Sequence, residues 1–175
     1  IYPIGIQNFE KIRKGGYCYI DKTALIYQMA KTGSYYFLSR PRRFGKSLLL
    51  STLEAYFQGK KELFEGLAIK KLEKECLTYP ILHIDLNTEK YDTPASLENK
   101  LNRVLVEWEK MYGAEPAETS LAMRFEGIIG RACEKEGQSV VILVDEYDKP
   151  MLQSFDNPEL QDDYRKTLTA FYTVL

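Results

Sequence analysis

Histidine is nearly absent from this chain, with one residue, His83, in 175. A metal site built from several histidines is therefore excluded, and neither a Ser/His/Asp nor a Cys/His catalytic arrangement finds support. His83 lies inside the apolar run ILHIDL and reads as a core or edge residue; Asp85, two positions on, shares its strand face and reads as a capping or solvated acid. Cysteine is equally sparse. Cys18, Cys76 and Cys133 are odd in number and too widely separated for a CxxC metal knuckle or a paired disulfide framework, which points to a reducing compartment, read here as the cytoplasm. Their flanks (GGYCYID, EKECLTY, GRACEKE) share no pattern, so their even spacing is not a repeat. Long apolar runs are missing too. Val140–Val144 is the longest aliphatic stretch, far short of the roughly 20 residues that cross a bilayer, and IYPIGIQ lacks the basic segment of a secretion signal. No membrane partner is expected. Charge of one sign is also lacking: 24 Lys and Arg against 25 Asp and Glu leave a net −1, so affinity for nucleic acid would need a local patch.

What is present is the composition of a soluble globular protein, with 45% apolar, 28% charged and 13% aromatic residues. The length suits one domain over residues 1–175, enough to bury about 70% of the surface of the unfolded chain. An initial Ile and a terminal FYTVL read as cuts in a longer chain. Asp21 is placed as the N-cap of a helix to about Lys31, with Leu25, Ile26 and Met29 on one face and Gly33 as its stop. Tyr35–Leu38 reads as a strand buried on both faces, and Gly45 or Lys46 opens a helix running to Gly59. A helical stretch at 68–77, a strand at Ile81–Leu86, helices at 95–112 and 117–134, a strand at Val140–Val144 and a helix at 158–175 complete the pattern. Short apolar strands alternating with amphipathic helices predict an α/β fold: a three-layer core with a mostly parallel sheet.

The densest chemistry lies in YYFLSRPRRFGKSL, residues 35–48, where a strand enters a loop ending in Gly45-Lys46-Ser47 at a helix start. That order suits a phosphate-binding loop. Backbone N–H groups and the helix N-terminus cradle phosphates, Gly45 permits close approach, Lys46 reaches the β- and γ-phosphates, and Ser47 ligates Mg²⁺. Phe44 and Leu48 flank the contact, and Arg42 and Arg43 add charge beside the polyphosphate. The full pattern has glycine five residues before Gly45, where this chain has Arg40, so the first turn of the loop is non-standard. A solvated role for Arg40, Arg42 and Arg43, or their pairing with acids, stands as the alternative.

About 100 residues later, VVILV ends in Asp145-Glu146-Tyr147-Asp148. Ligands of open α/β sheets bind beyond the carboxyl ends of the strands, so this acidic end is expected on the same crevice as the loop. Asp145 would serve the Mg²⁺ shell and Glu146 would polarise the water that attacks the γ-phosphate, making Glu146 and Lys46 the catalytic pair. A helix N-cap and a solvated acidic turn form the alternative reading. Asp148 and Lys149 are open between a site role and pairing with each other or with an arginine.

Together RPRRFGKS, YIDKT and VVILVDEYDKP resemble the bacterial predicted AAA-ATPase-like family, over nearly the whole chain. The resemblance implies that the arginine-rich loop without a leading glycine is a family feature. It also implies Walker A roles for Gly45, Lys46 and Ser47 and Walker B roles for Asp145 and Glu146, with ATP and Mg²⁺ as cofactors. For YIDKT, around Asp21 and Lys22, it suggests a place near the nucleotide base. It further implies that the chain stops before the sensor strand and that full-length members resemble fusions with a C-terminal PD-(D/E)xK nuclease-like domain, through which DNA or RNA would be a partner. The leading expectation is an Mg²⁺-dependent ATPase module acting as motor or switch, with oligomerisation open and hydrolysis weak in this stretch alone. The alternatives are a regulatory or interaction module that binds nucleotide without turnover, and a module that binds nucleic-acid phosphates.

Overall fold

A computed structural model describes residues 1–39, 44–75 and 77–175. The chain divides into two compact units, Ile1–Ile81 and Leu82–Leu175, each described by itself.

In the first unit Asn8 starts helix α1 (Phe9–Lys14) by accepting the Lys11 N–H at 2.9 Å. Phe9 and Ile12 are fully buried, and the Phe9 ring meets Tyr19 and Phe64 at centroid distances of 5.1 and 4.9 Å. Arg13 then donates to the carbonyls of Leu63 and Glu65 at 2.7 and 2.6 Å. These contacts clamp α1 onto the 3₁₀ turn Lys61–Phe64 that follows the longer helix. Helix α2 (Thr23–Thr32) begins one residue later than expected, after Lys22. Asp21 still supplies the acceptor: one carboxylate oxygen takes the Thr23 N–H at 2.8 Å and the other takes the Ala68 N–H at 2.7 Å. The Thr23 hydroxyl accepts from Ile69 N–H at 3.0 Å. Asp21 and Thr23 thus join α2 to the backbone at Ala68 and Ile69. Of the apolar face assigned to α2, Ile26 is buried while Leu25 is exposed.

The strand expected at Tyr35–Leu38 does not form. Tyr35 is 80% and Phe37 72% exposed, and among the described residues before Ile81 there is no strand for the segment to pair with. An apolar run becomes a buried strand only where neighbouring strands complete its hydrogen-bond ladder. Tyr36 instead folds back on α2, its hydroxyl donating to the Met29 carbonyl at 2.8 Å. Helix α3 (Lys46–Phe57) stands where the sequence puts it. The helix expected at 68–77 contracts to α4 (Ile69–Leu72), since Glu73 leaves helical geometry and takes the Tyr56 hydroxyl and the Lys31 ammonium.

In the second unit the strand β1 (Ile81–Asp85) pairs with β2 (Val141–Asp145) in a two-stranded parallel sheet. This is the α/β arrangement in its small form. The two strands lie within a residue of their expected positions. The long helices also form: α5 (Pro94–Tyr112) where expected, α6 (Leu121–Glu136) starting later than the expected 117, and α8 (Pro158–Tyr172) ending before the expected 175, with the short α7 (Lys149–Gln153) not anticipated. Their starts are well defined. Thr93 and Ser96 form a reciprocal capping box, Ser120 accepts from Met123 N–H, Asn157 accepts from Leu160 N–H, and prolines occupy the first turns of α5 and α8. Leu97, Leu101 and Leu105 of α5, Phe125 and Ile128 of α6, and Phe171 of α8 are fully enclosed with Leu82, Ile84 and Leu86. Phe125 stacks on Phe171 at 4.4 Å and 3° and on Trp108 at 5.7 Å.

Two partly buried ion pairs brace the helices. Arg124 grips both carboxylate oxygens of Glu109 at 2.6 and 2.9 Å, and Arg131 grips Glu118 at 2.5 and 3.0 Å. Gly127 lies beside the second pair, and a Cβ there would displace the flexible end of the Glu118 side chain. Hydrogen bonds from Arg124 hold Glu109, and those from Arg131 hold Glu118, below the ordinary glutamate range.

Phe125→Ala should destabilise the second unit by about 3–5 kcal/mol. Urea unfolding followed by the fluorescence of Trp108, the single tryptophan, measures it; an unchanged midpoint refutes the packing. The depressed pKa values of Glu109 and Glu118 contribute stability that is present above the unfolded glutamate value of 4.5 and lost as pH falls through the lower folded values. Urea midpoints at about pH 7 and about pH 3 should therefore diverge in the wild type and diverge less in the double variant Arg124→Met, Arg131→Met.

Candidate functional site

The two sequence-predicted halves of the site fall in different units. In the first, Gly45 has φ +79° and ψ 19°, a left-handed conformation that glycine adopts without strain, and its carbonyl accepts the first intrahelical bond from Leu49 N–H at 2.9 Å. Lys46, Ser47 and Leu48 follow in the first turn of α3, half-buried. Their N–H groups precede the first intrahelical donor, and among the described residues no side chain caps the helix. A 12-residue helix that starts with uncapped N–H groups, a glycine approach, a lysine and a serine has the donor set of a phosphate cradle. Phe44 is 63% exposed at the edge of this turn. Arg40, Arg42 and Arg43 lie outside the described residues, as does Cys76. The helix expected after the loop is present and the strand expected before it is not.

Behind the first turn, the Ser51 and Thr52 hydroxyls both donate to the Leu48 carbonyl, at 3.0 and 2.8 Å, and Ser51 accepts the Phe9 N–H at 2.9 Å. The start of α3 is thereby fastened to α1. Partial desolvation pushes the Asp21 carboxyl up, but the bonds from Thr23 and Ala68 outweigh it and hold Asp21 below its ordinary range, as befits a structural cap.

In the second unit Asp145 ends β2 and Glu146 follows with φ +53°, the sole described non-glycine residue with a positive φ. Its N–H donates to the Asp145 carboxylate at 3.0 Å, and its carbonyl accepts the Lys149 N–H at 3.0 Å. Both carboxylates are half-buried. Among the described residues no ion pair joins Asp148 and Lys149: the Lys149 ammonium donates to the main-chain carbonyl of Asn87 and, at 2.8 Å, to the Asn87 side-chain oxygen. Asp85 caps the turn that holds Asn87 by accepting its N–H at 2.8 Å, the capping role expected from its position. Asn87 escaped the sequence reading, although Asp-x-Asn after a strand is a usable turn signal. The left-handed backbone of Glu146 carries no signal in residue type.

Among the described residues no group of three or more His, Cys, Asp or Glu side chains forms a metal cluster, and no helix is long and apolar enough to cross a membrane. Cys18 and Cys133 are free and exposed.

The family model described as Predicted AAA-ATPase matches residues 3–175. The chain belongs to the predicted AAA-ATPase family. This member is similar to a protein of Azotobacter chroococcum mcd 1 described as "Uncharacterized protein in vnfD 5'region", with 40% identity over 174 residues, 99% of this chain and 34% of the relative. The AAA-ATPase-like chain thus spans about a third of the length of that curated relative. No solved structure matches it.

The left-handed Glu146 has a measurable cost. Glu146→Asn, which suits positive φ, should raise stability by up to about 1 kcal/mol, whereas Glu146→Gln should leave it within about 0.5 kcal/mol. Chemical denaturation of both variants decides, and equal midpoints would show that the backbone is unstrained.

Proposed function

We propose that this chain is the nucleotide-binding part of an Mg²⁺-dependent ATPase that cleaves the β–γ phosphoanhydride of ATP and acts as the motor or switch of a longer protein. The observation that carries the reading is the uncapped start of α3 behind the left-handed Gly45, within a chain of the predicted AAA-ATPase family. Gly45 leaves the backbone open to a phosphate, since among the described residues nothing lies within 4 Å of the position a Cβ would occupy. The N–H groups of Lys46, Ser47 and Leu48 donate to phosphate oxygens, and the Lys46 ammonium balances charge on the β- and γ-phosphates. Arg42, Arg43 and Phe44 flank that contact.

The Ser47 hydroxyl and the Asp145 carboxylate, each in its own unit, are hard oxygens of the kind that would hold Mg²⁺. When bound, the ion neutralises charge developing between the phosphates. Glu146 orients the attacking water and holds its proton at the carboxylate. The strain at Glu146 supports that role, because backbone held in a sparsely populated region clusters at functional positions.

Isothermal titration with Mg·ATP should give binding that Lys46→Ala weakens at least about tenfold, and Glu146→Gln should lower turnover about 10²–10⁴-fold while sparing affinity. Equal binding heats for wild type and Lys46→Ala would refute the phosphate cradle. Tight binding with no turnover in the wild type would assign a nucleotide-operated switch without hydrolysis.

A further inference from the structure

We propose that Lys149 is a positioning residue: through Asn87 it ties the acidic turn after β2 to the exit of β1 and so holds Glu146 in its left-handed conformation. The inference rests on the assignment of Glu146 as the group that orients the attacking water. Both peptide planes flanking Glu146 are pinned. Its N–H is held by the Asp145 carboxylate at 3.0 Å, and its carbonyl is held by the Lys149 N–H at 3.0 Å. The first anchor lies on the adjacent residue and moves with it, so it cannot locate the turn in space. Lys149 can, because its side chain leaves the turn altogether: Nζ donates to the Asn87 main-chain carbonyl and to Oδ1 at 2.8 Å. Asn87 is in turn fixed, with its N–H on the Asp85 carboxylate at 2.8 Å, in the 3₁₀ turn Leu86–Thr88 that leaves β1. A continuous run of hydrogen bonds therefore connects Asp85, Asn87, Lys149 and Glu146.

A further feature fits a positioning device. Among the described residues, the hydrogen bonds of the Lys149 ammonium go to the neutral Asn87 and not to Asp145, Glu146 or Asp148. It sets geometry while leaving the acids of its own turn without a salt bridge to it, ready to serve a cation and a water. A left-handed non-glycine backbone persists only where its surroundings over-determine it, and here Lys149 supplies the anchor from outside the turn.

The test uses the whole protein with Lys149→Met, Lys149→Arg and Asn87→Ala. Hydrogen–deuterium exchange read by mass spectrometry should show the peptide covering residues 145–150 exchanging about tenfold faster in Lys149→Met, with α6 unchanged. Asn87→Ala, which keeps the main-chain acceptor, should give a smaller acceleration, and Lys149→Arg should restore protection. Turnover should fall about tenfold in Lys149→Met at unchanged ATP affinity and recover in Lys149→Arg. Unchanged exchange in Lys149→Met overturns the proposal, and so does a loss of ATP affinity without an exchange change, which would make Lys149 a ligand contact. If wild type fails to bind ATP, the ATPase assignment falls, and if Glu146→Gln turns over normally, the role given to Glu146 falls, while the exchange arm still decides the tie.

Discussion

One-sided burial of β1 is the constraint on which the second unit depends. Leu82 and Ile84 are fully enclosed while Ile81, His83 and Asp85 are half-buried, the period of two that a pleated strand imposes. Leu86 also enters the core as the first residue of the turn that follows, and Asn87 is left exposed at that turn. Parallel pairing then brings the carboxyl ends of β1 and β2 to one edge. Asp85, Asn87, Asp145 and Glu146 are neighbours at that edge because three apolar side chains further back are committed to the interior.

Helix packing secures the other side of this core. The leucines of α5 recur every four residues, Leu97, Leu101 and Leu105, and all are inaccessible to solvent. Phe125 links α6 to α8 by its stack on Phe171. The arginine–glutamate pairs add precision at the margins, where removal of one partner leaves a half-buried charge uncompensated.

The first unit shows where sequence reasoning stops. Gly45-Lys46-Ser47 at the head of α3 was legible because a local rule, glycine before a helix with free N–H groups, suffices to predict it. Tyr35–Leu38 was misread for the complementary reason: four consecutive apolar residues predict burial, but burial of a strand requires a ladder that the residues themselves do not carry. Asp21 was read correctly as a cap and displaced by one residue. Its second acceptor oxygen serves Ala68, a partner 47 positions away that no local pattern announces.

Residue order alone determined the long helices, the two strands and the residues that present phosphate and cation chemistry, since hydrophobic period and helix-start signals act over a few residues. Tertiary structure decided what those residues are held to: Lys149 to Asn87 across 62 positions, Arg13 to the carbonyl of Leu63, and Glu146 in a left-handed turn. Such arrangements depend on which distant polar groups the core brings within reach, and a hydrogen bond senses a partner's position in space, not its distance along the chain.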